Sequence, residues 1–283
     1  MRALRRFLAH RGAVIGAALV VLLLVLTLMP HGDPLAPHID HGLSPLGAPL
    51  PPSAHALLGT DHLGRDVWAR VVAGAGISLE IATLSTLLAL AIGLAVGLTA
   101  GYAGGWADSL LMRIVDLFLA FPFVLLAILL AALLREADLA SGNAPVVLTI
   151  GIVGWTTMAR VIRGKALVIA RSEHVVAARA LGASPLRIMV RHVLPNLAGV
   201  VIVVTALGFA QNLLNESVLS YLGLGPPPPA PTWGRMLYEG RAYYRTAPWL
   251  SIAPGIAIVT AVVAFNLLGD ALRDLLDPKG VRA

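Results

Sequence analysis

The sequence predicts an all-α integral membrane protein with six transmembrane helices, both termini inside, and a basic cytoplasmic insert between the fourth and fifth helices. Three observations carry this. Hydrophobic residues make up 58% of the 283 and charged residues 13%, against about 45–50% and about 25% in an average soluble domain. Six apolar runs, 13–29, 77–100, 110–134, 144–161, 197–220 and 248–269, approach or exceed the roughly 20 residues a bilayer crossing needs. With the N-terminus inside, 15 of the 21 lysines and arginines fall on the inner side, the bias that orients membrane proteins.

Residues 1–12 carry Arg2, Arg5, Arg6 and Arg11 ahead of the first run. That resembles a secretory signal, but the apolar core is long and no small-x-small cleavage site follows, so it reads as an uncleaved span. Residues 30–76 form an outer segment. The core of the protein is expected over 77–272, with a cytoplasmic tail at 273–283. The second run places Gly93, Gly97, Gly101 and Gly105 four apart, a flat stripe on which another helix backbone can approach closely. The neighbour is a helix of this chain or of a sister subunit. The outer loop at 222–247 holds four consecutive prolines, which favour a polyproline II connector. The net charge of +6 does not indicate nucleic acid, because the charges lie between apolar spans and sort by side. No cysteine is present, which excludes disulfides and thiol chemistry.

The insert at 163–196 is the most distinctive stretch. Ser172 is placed to cap a helix ending near Leu181, with Gly182 as its C′ residue. Ser184-Pro185 reads as an N-cap and first-turn proline, starting a second helix that Pro195 is expected to stop. Ala177, Ala178, Ala180 and Gly182 give a surface nearly bare of side chains, flanked by Val176 and Ala183, while Arg187, Arg191 and His192 offer positive charge. Taken alone, such a pair lies on anionic lipid or docks a partner.

The stretch "AARALGASPLRIMVRHVLP" resembles the Glu-Ala-Ala loop of binding-protein-dependent ABC importer permeases. Ala177, Ala178, Gly182, Leu194 and Pro195 match its spacing; Val176 stands where glutamate is usual and His192 where isoleucine is usual. "LGTDHLGRDVWARVVAGAGISL" and the region running from "SYLGLGPPPPAPTWGRM" to "AFNLLGDALRDLLDP" resemble the second, C-type, permease of dipeptide, oligopeptide and nickel systems. The resemblance implies a bacterial inner-membrane subunit. Its partners would be a sister permease, one or two ABC ATPase subunits, a periplasmic or lipid-anchored solute-binding protein, and membrane lipid. It also implies that Val176–Pro195 is where an ATPase grips this chain and passes its movement to the spans. A nickel or metal-chelate importer is the alternative within the class, and an ATP-independent secondary transporter the alternative outside it.

The chain is not expected to be an enzyme. A P-loop needs G-x-x-x-x-G-K-[ST], and the only Gly-Lys, Gly164-Lys165, has Ala166 after it and Ala159 where the first glycine belongs. ATP and magnesium would therefore be bound by partner subunits, with no cofactor in this chain. Five histidines, His31, His38, His41, His55 and His62, fall in the outer segment near Asp33, Asp40 and Asp61. Their irregular spacing defines no metal site. In the spans, Asp116 is placed to pair with Arg113 one turn away. Gln211, Asn212, Asn215 and Glu216 are candidates for the solute path or for interhelical hydrogen bonds, because polar groups at membrane depth face protein or water.

Overall fold

A computed structural model of the chain describes residues 7–29, 32–36, 42–136 and 141–276. His31, His38, His41 and Asp40, and the basic residues Arg2, Arg5, Arg6, Lys279 and Arg282, lie outside them. Among the described residues the regular structure is helical. The elements are α1 (Arg11–Leu28), α2 (Val67–Ala103), α3 (Gly105–Ala120), α4 (Phe123–Glu136), α5 (Ala144–Ile169), α6 (Glu173–Ala180), α7 (Pro185–Ile188), α8 (Leu194–Tyr221), α9 (Trp233–Gly240) and α10 (Trp249–Leu276). Five helices are long and apolar enough to cross a membrane; the sixth candidate crossing is the pair α3 and α4, bent by 93°.

That bend differs from the straight run expected at 110–134. Its cause is Pro122, which has no N–H to donate and forces the preceding residue out of helical conformation. Phe121 accordingly sits at φ −95°, ψ 137°. The helix pair makes an elbow with aromatic residues, Phe121 and Phe123, on either side of the proline.

The glycine stripe of α2 packs within this chain, against α5. A Cβ on Gly97 would lie 2.5 Å from the Ala159 carbonyl oxygen, one on Gly101 2.7 Å from that of Arg163, and one on Gly93 3.0 Å from that of Trp155. The two backbones touch along three turns. Gly105 does not continue the stripe, since with Gly104 it turns the chain at φ +54° and +63°.

Pro195 does not stop the insert's second helix. Residues 185–221 form one continuous helical element, carried past the proline by a π-helical turn at Met189–Val193. A π turn widens the spacing, so the pyrrolidine ring is spared the carbonyl it would otherwise meet. The Asn196 side-chain amide donates to the His192 carbonyl at 2.7 Å.

The proline run is a turn rather than an extended rod, with Ala230 N–H bonded to the Pro227 carbonyl and the Pro228–Pro229 bond cis. α1 lies against α10, where Gly16 meets the backbone of Ala264 and Leu268. At the inner end of this pair, His10 reaches Asp274 at 3.3 Å.

Candidate functional site

The insert is seated from below. Val175, Ile188 and Val193 are buried in one cluster with Ile162, Ile169 and Leu197, so α6 and α7 are fixed to the ends of α5 and α8. Ser172 stands at the N-cap, but its hydroxyl donates to the Ile169 carbonyl at 2.6 Å instead of capping α6. The far end of α6 closes as a Schellman motif. Gly182, at φ +81°, bonds the Arg179 carbonyl, and Ala183 bonds that of Ala178. Ser184 then accepts from the Arg187 N–H at 3.4 Å, with Pro185 in the first turn.

Of the nine residues expected on the docking surface, Val176, Ala177, Gly182, Arg187 and Pro195 are exposed, and Ala178, Ala183, His192 and Leu194 are half-buried. Two further residues join the exposed face, Leu181 at 88% and Leu186 at 67% exposure. The surface is thus more apolar than its alanines and glycine suggested. Leu181 is the residue after the last helical turn and Leu186 the one after the first-turn proline, so neither belongs to a periodic face that a sequence pattern would reveal. His174 and His192 lie 6.4 Å apart, ring to ring.

The second feature is an open-sided cavity of about 620 Å³ bounded by the elbow, α5 and α8. Phe118, Phe121 and Phe123 come from the elbow, Thr156, Thr157 and Met158 from α5, and Gln211, Asn212 and Asn215 from α8. None of the lining residues is ionisable. The amides are partly paired: Gln211 Nε2 donates to Asn215 Oδ1 at 3.2 Å, and Asn212 Nδ2 donates to the Thr86 hydroxyl at 3.0 Å. Among the described residues, the Asn215 amine and the Gln211 and Asn212 carbonyl oxygens find no protein partner.

Glu216 is not brought to this cavity. It is fully buried and turned away from the cavity, accepting from Ser220 at 2.7 Å and from Ser217 at 3.4 Å. Ser78 and Thr232 add two more hydroxyls. The four residues thus separate into three amides on the cavity and one carboxyl tying α8 to α2 and α9. Asp116 likewise finds a different partner from the one expected, bonding Arg160 of α5 and not Arg113. The ion pair joins α3 to α5, a contact between helices that spacing within one helix does not show.

The outer segment packs on α9 through buried charge. Asp61 takes Arg65 Nε at 2.7 Å and also Arg70; Glu239 takes Arg70 at 2.8 Å, Arg235 at 2.9 Å and Arg65 at 3.3 Å. Burial pushes the Asp61 carboxyl up, but Arg70, the Arg65 N–H and guanidinium, and the Leu63 N–H together hold it below the usual aspartate range. Asp61, His62 and Glu239 bring ligand-type atoms within 4.8 Å of one another. Three guanidiniums against two carboxylates leave the cluster with excess positive charge, which opposes a cation. Of the five outer histidines, only His55 and His62 fall among the described residues, and the structure does not bring them together in a metal-binding group.

Comparison with known proteins agrees with this architecture. Residues 93–281 match the family described as binding-protein-dependent transport system inner membrane component. A protein of Brucella abortus named as a peptide transport system permease is 40% identical over 280 residues, covering 97% of this chain and 90% of that one. The glutathione transport system permease protein GsiD of Escherichia coli O157:H7 is also 40% identical, covering 97% and 89%. In structure, the chain is similar to the inward-facing MetNI methionine ABC transporter, with a TM-score of 0.61 at 20% identity over 75% of this chain and 98% of that one. With its multi-span helical fold and near full-length relatives, this chain belongs to the inner-membrane permease subunits of binding-protein-dependent ABC transport systems.

Proposed function

We propose that this permease forms, with a sister permease, the path by which di- or oligopeptides enter the cell, and that ATPase subunits drive it by gripping the insert from Val176 to Pro195. The observation that carries the substrate class is the cavity. It presents side-chain amides with both donors and acceptors left free beside aromatic rings, and no charge. Amide donors and acceptors match the N–H and C=O of a peptide backbone whatever its side chains, and aromatic walls take apolar side chains without demanding one shape. The relatives named for peptide and glutathione transport support the same class.

The chain supplies no ATP or magnesium site of its own in this reading. Energy arrives through the insert, whose buried side seats on α5 and α8 and whose open side shows Val176, Leu181 and Leu186 to one or two ATPases. An external solute-binding protein delivers the peptide to the opposite face. Both termini lie inside. The metal-chelate alternative is disfavoured by the arginines around Asp61 and Glu239.

The test is to co-express the tagged chain with its sister permease, ATPases and binding protein, purify the complex gently, and reconstitute it in vesicles. Labelled di- and tripeptide should accumulate only with ATP, and nickel should not compete. Gly182→Trp should lose the ATPases from the purified complex while keeping the sister permease. Uptake by the chain without ATP, or retention of the ATPases by the Gly182 variant, would overturn the reading.

A further inference from the structure

One cavity residue is held in an unusual way. Met158 is 4% exposed and contributes to the cavity wall, yet the positions it leans on are glycines of two other helices. A Cβ on Gly93 of α2 would lie 2.9 Å from Met158 Cβ, and one on Gly208 of α8 only 2.2 Å from Met158 Cε. The near end of the side chain is therefore fixed against backbone. The far end occupies the space that any residue larger than glycine at 208 would fill. Gly208 itself lines the same cavity, so the free side of the thioether is the cavity side. Methionine is unbranched and adapts to irregular gaps, which makes its terminal methyl a movable boundary rather than a fixed wall.

We propose that Met158, seated by Gly93 and Gly208, sets the width of the cavity and is a specificity-determining residue for the size of the side chains that pass. The inference rests on the reading of the cavity as the solute path. Two substitutions displace the boundary in opposite directions. Met158→Ala removes the thioether and widens the cavity. Gly208→Ala puts a carbon where Met158 Cε now sits, and the methyl swings into the cavity and narrows it. Combining them relieves the clash, because the shortened side chain no longer reaches position 208.

The experiment uses the reconstituted complex with ATP and binding protein, and a dipeptide series from Gly-Gly through Leu-Leu to Phe-Phe. The readout is the ratio of Phe-Phe to Gly-Gly uptake. The expected result is a rise of about threefold or more for Met158→Ala, a fall of similar size for Gly208→Ala, and a double variant whose ratio again exceeds that of Gly208→Ala. A merely structural role would lower uptake of all peptides together and leave the ratio unchanged. Ratios within twofold of the parent in every variant that still transports would overturn the proposal. Should Met158→Ala not assemble, Gly208→Ala and the double variant decide by the same ratio. Failure of the path reading is distinguished by Thr157→Cys, a unique thiol in a chain without cysteine, on the cavity wall. If a bulky maleimide there leaves uptake of every peptide intact, the cavity is not the path and the gauge falls with it.

Discussion

Arg163 and Asp108 meet in a fork, Nε to Oδ1 at 2.8 Å and Nη2 to Oδ2 at 2.5 Å, across α5 and α3. The neighbouring pair, Arg160 with Asp116, joins the same two helices through a single contact, with both side chains about half exposed. Bidentate, partly buried pairs are stronger than single exposed ones. Asp108→Asn should therefore cost about 1 kcal/mol after allowance for solvent, and Asp116→Asn ~0.3 kcal/mol or less. Thermal unfolding in detergent checks this. Equal losses from the two variants would mean that the fork geometry contributes nothing special.

The α2–α5 contact predicts a sharp contrast among glycines. Gly97→Leu must separate two backbones that now nearly touch, and should abolish accumulation of folded protein in the membrane. Gly76→Ala and Gly255→Ala, helical positions with nothing near the added carbon, should be neutral or stabilise by up to about 1 kcal/mol, as glycine is a poor helix former. Membrane-fraction yield and melting temperature distinguish these outcomes.

Acid should loosen the outer segment. Asp61 is held below the roughly 3.9 of a free aspartate, so the folded state binds fewer protons than the unfolded one near that pH. Its contribution is complete by about pH 5, above the unfolded value, and is lost as pH falls through the folded value. Hydrogen exchange of the segment around Thr60–Asp66 should rise across that window in the parent. Asp61→Asn should exchange faster at neutral pH and show a flatter acid response. An Asp61→Asn profile parallel to the parent's would place the acid sensitivity elsewhere.

Glu216 offers a test of shape against charge. Its partners are hydroxyls, and among the described residues it has no ion pair. Glu216→Gln keeps the carbonyl acceptor and the volume and should leave assembly close to the parent's. Glu216→Ala leaves a cavity and buried hydroxyls unpaired, a loss of about 2–4 kcal/mol. Equal melting temperatures for the two variants would show that the hydroxyl cage holds nothing together.

Much of the fold was legible because burial in lipid writes long apolar runs into a sequence, and because glycine at φ +81° after α6 has few substitutes. The glycine stripe announced a close helix contact, though not its partner. Three things were hidden. Pro122 breaks a run whose hydropathy is uninterrupted, so composition gave no sign of the elbow. Pro195 looked like a stop because the π turn that tolerates it has no signature of its own. The division of labour between Asn215 and Glu216 depends on which way one turn of α8 faces, and a helix that is apolar nearly all round offers no amphipathic pattern to fix that rotation.

The π turn at Met189–Val193 has a further consequence. Residues 185–221 make a single rod of about 55 Å at 1.5 Å per residue, far longer than the roughly 30 Å hydrocarbon layer. One end carries Leu186 and Arg187, and the amides of Gln211 and Asn215 lie toward the other end. No loop intervenes between them. A small twist imposed at the first turn would reach the cavity as a twist of the amides themselves, and the π turn is the place where the rod can absorb or release it.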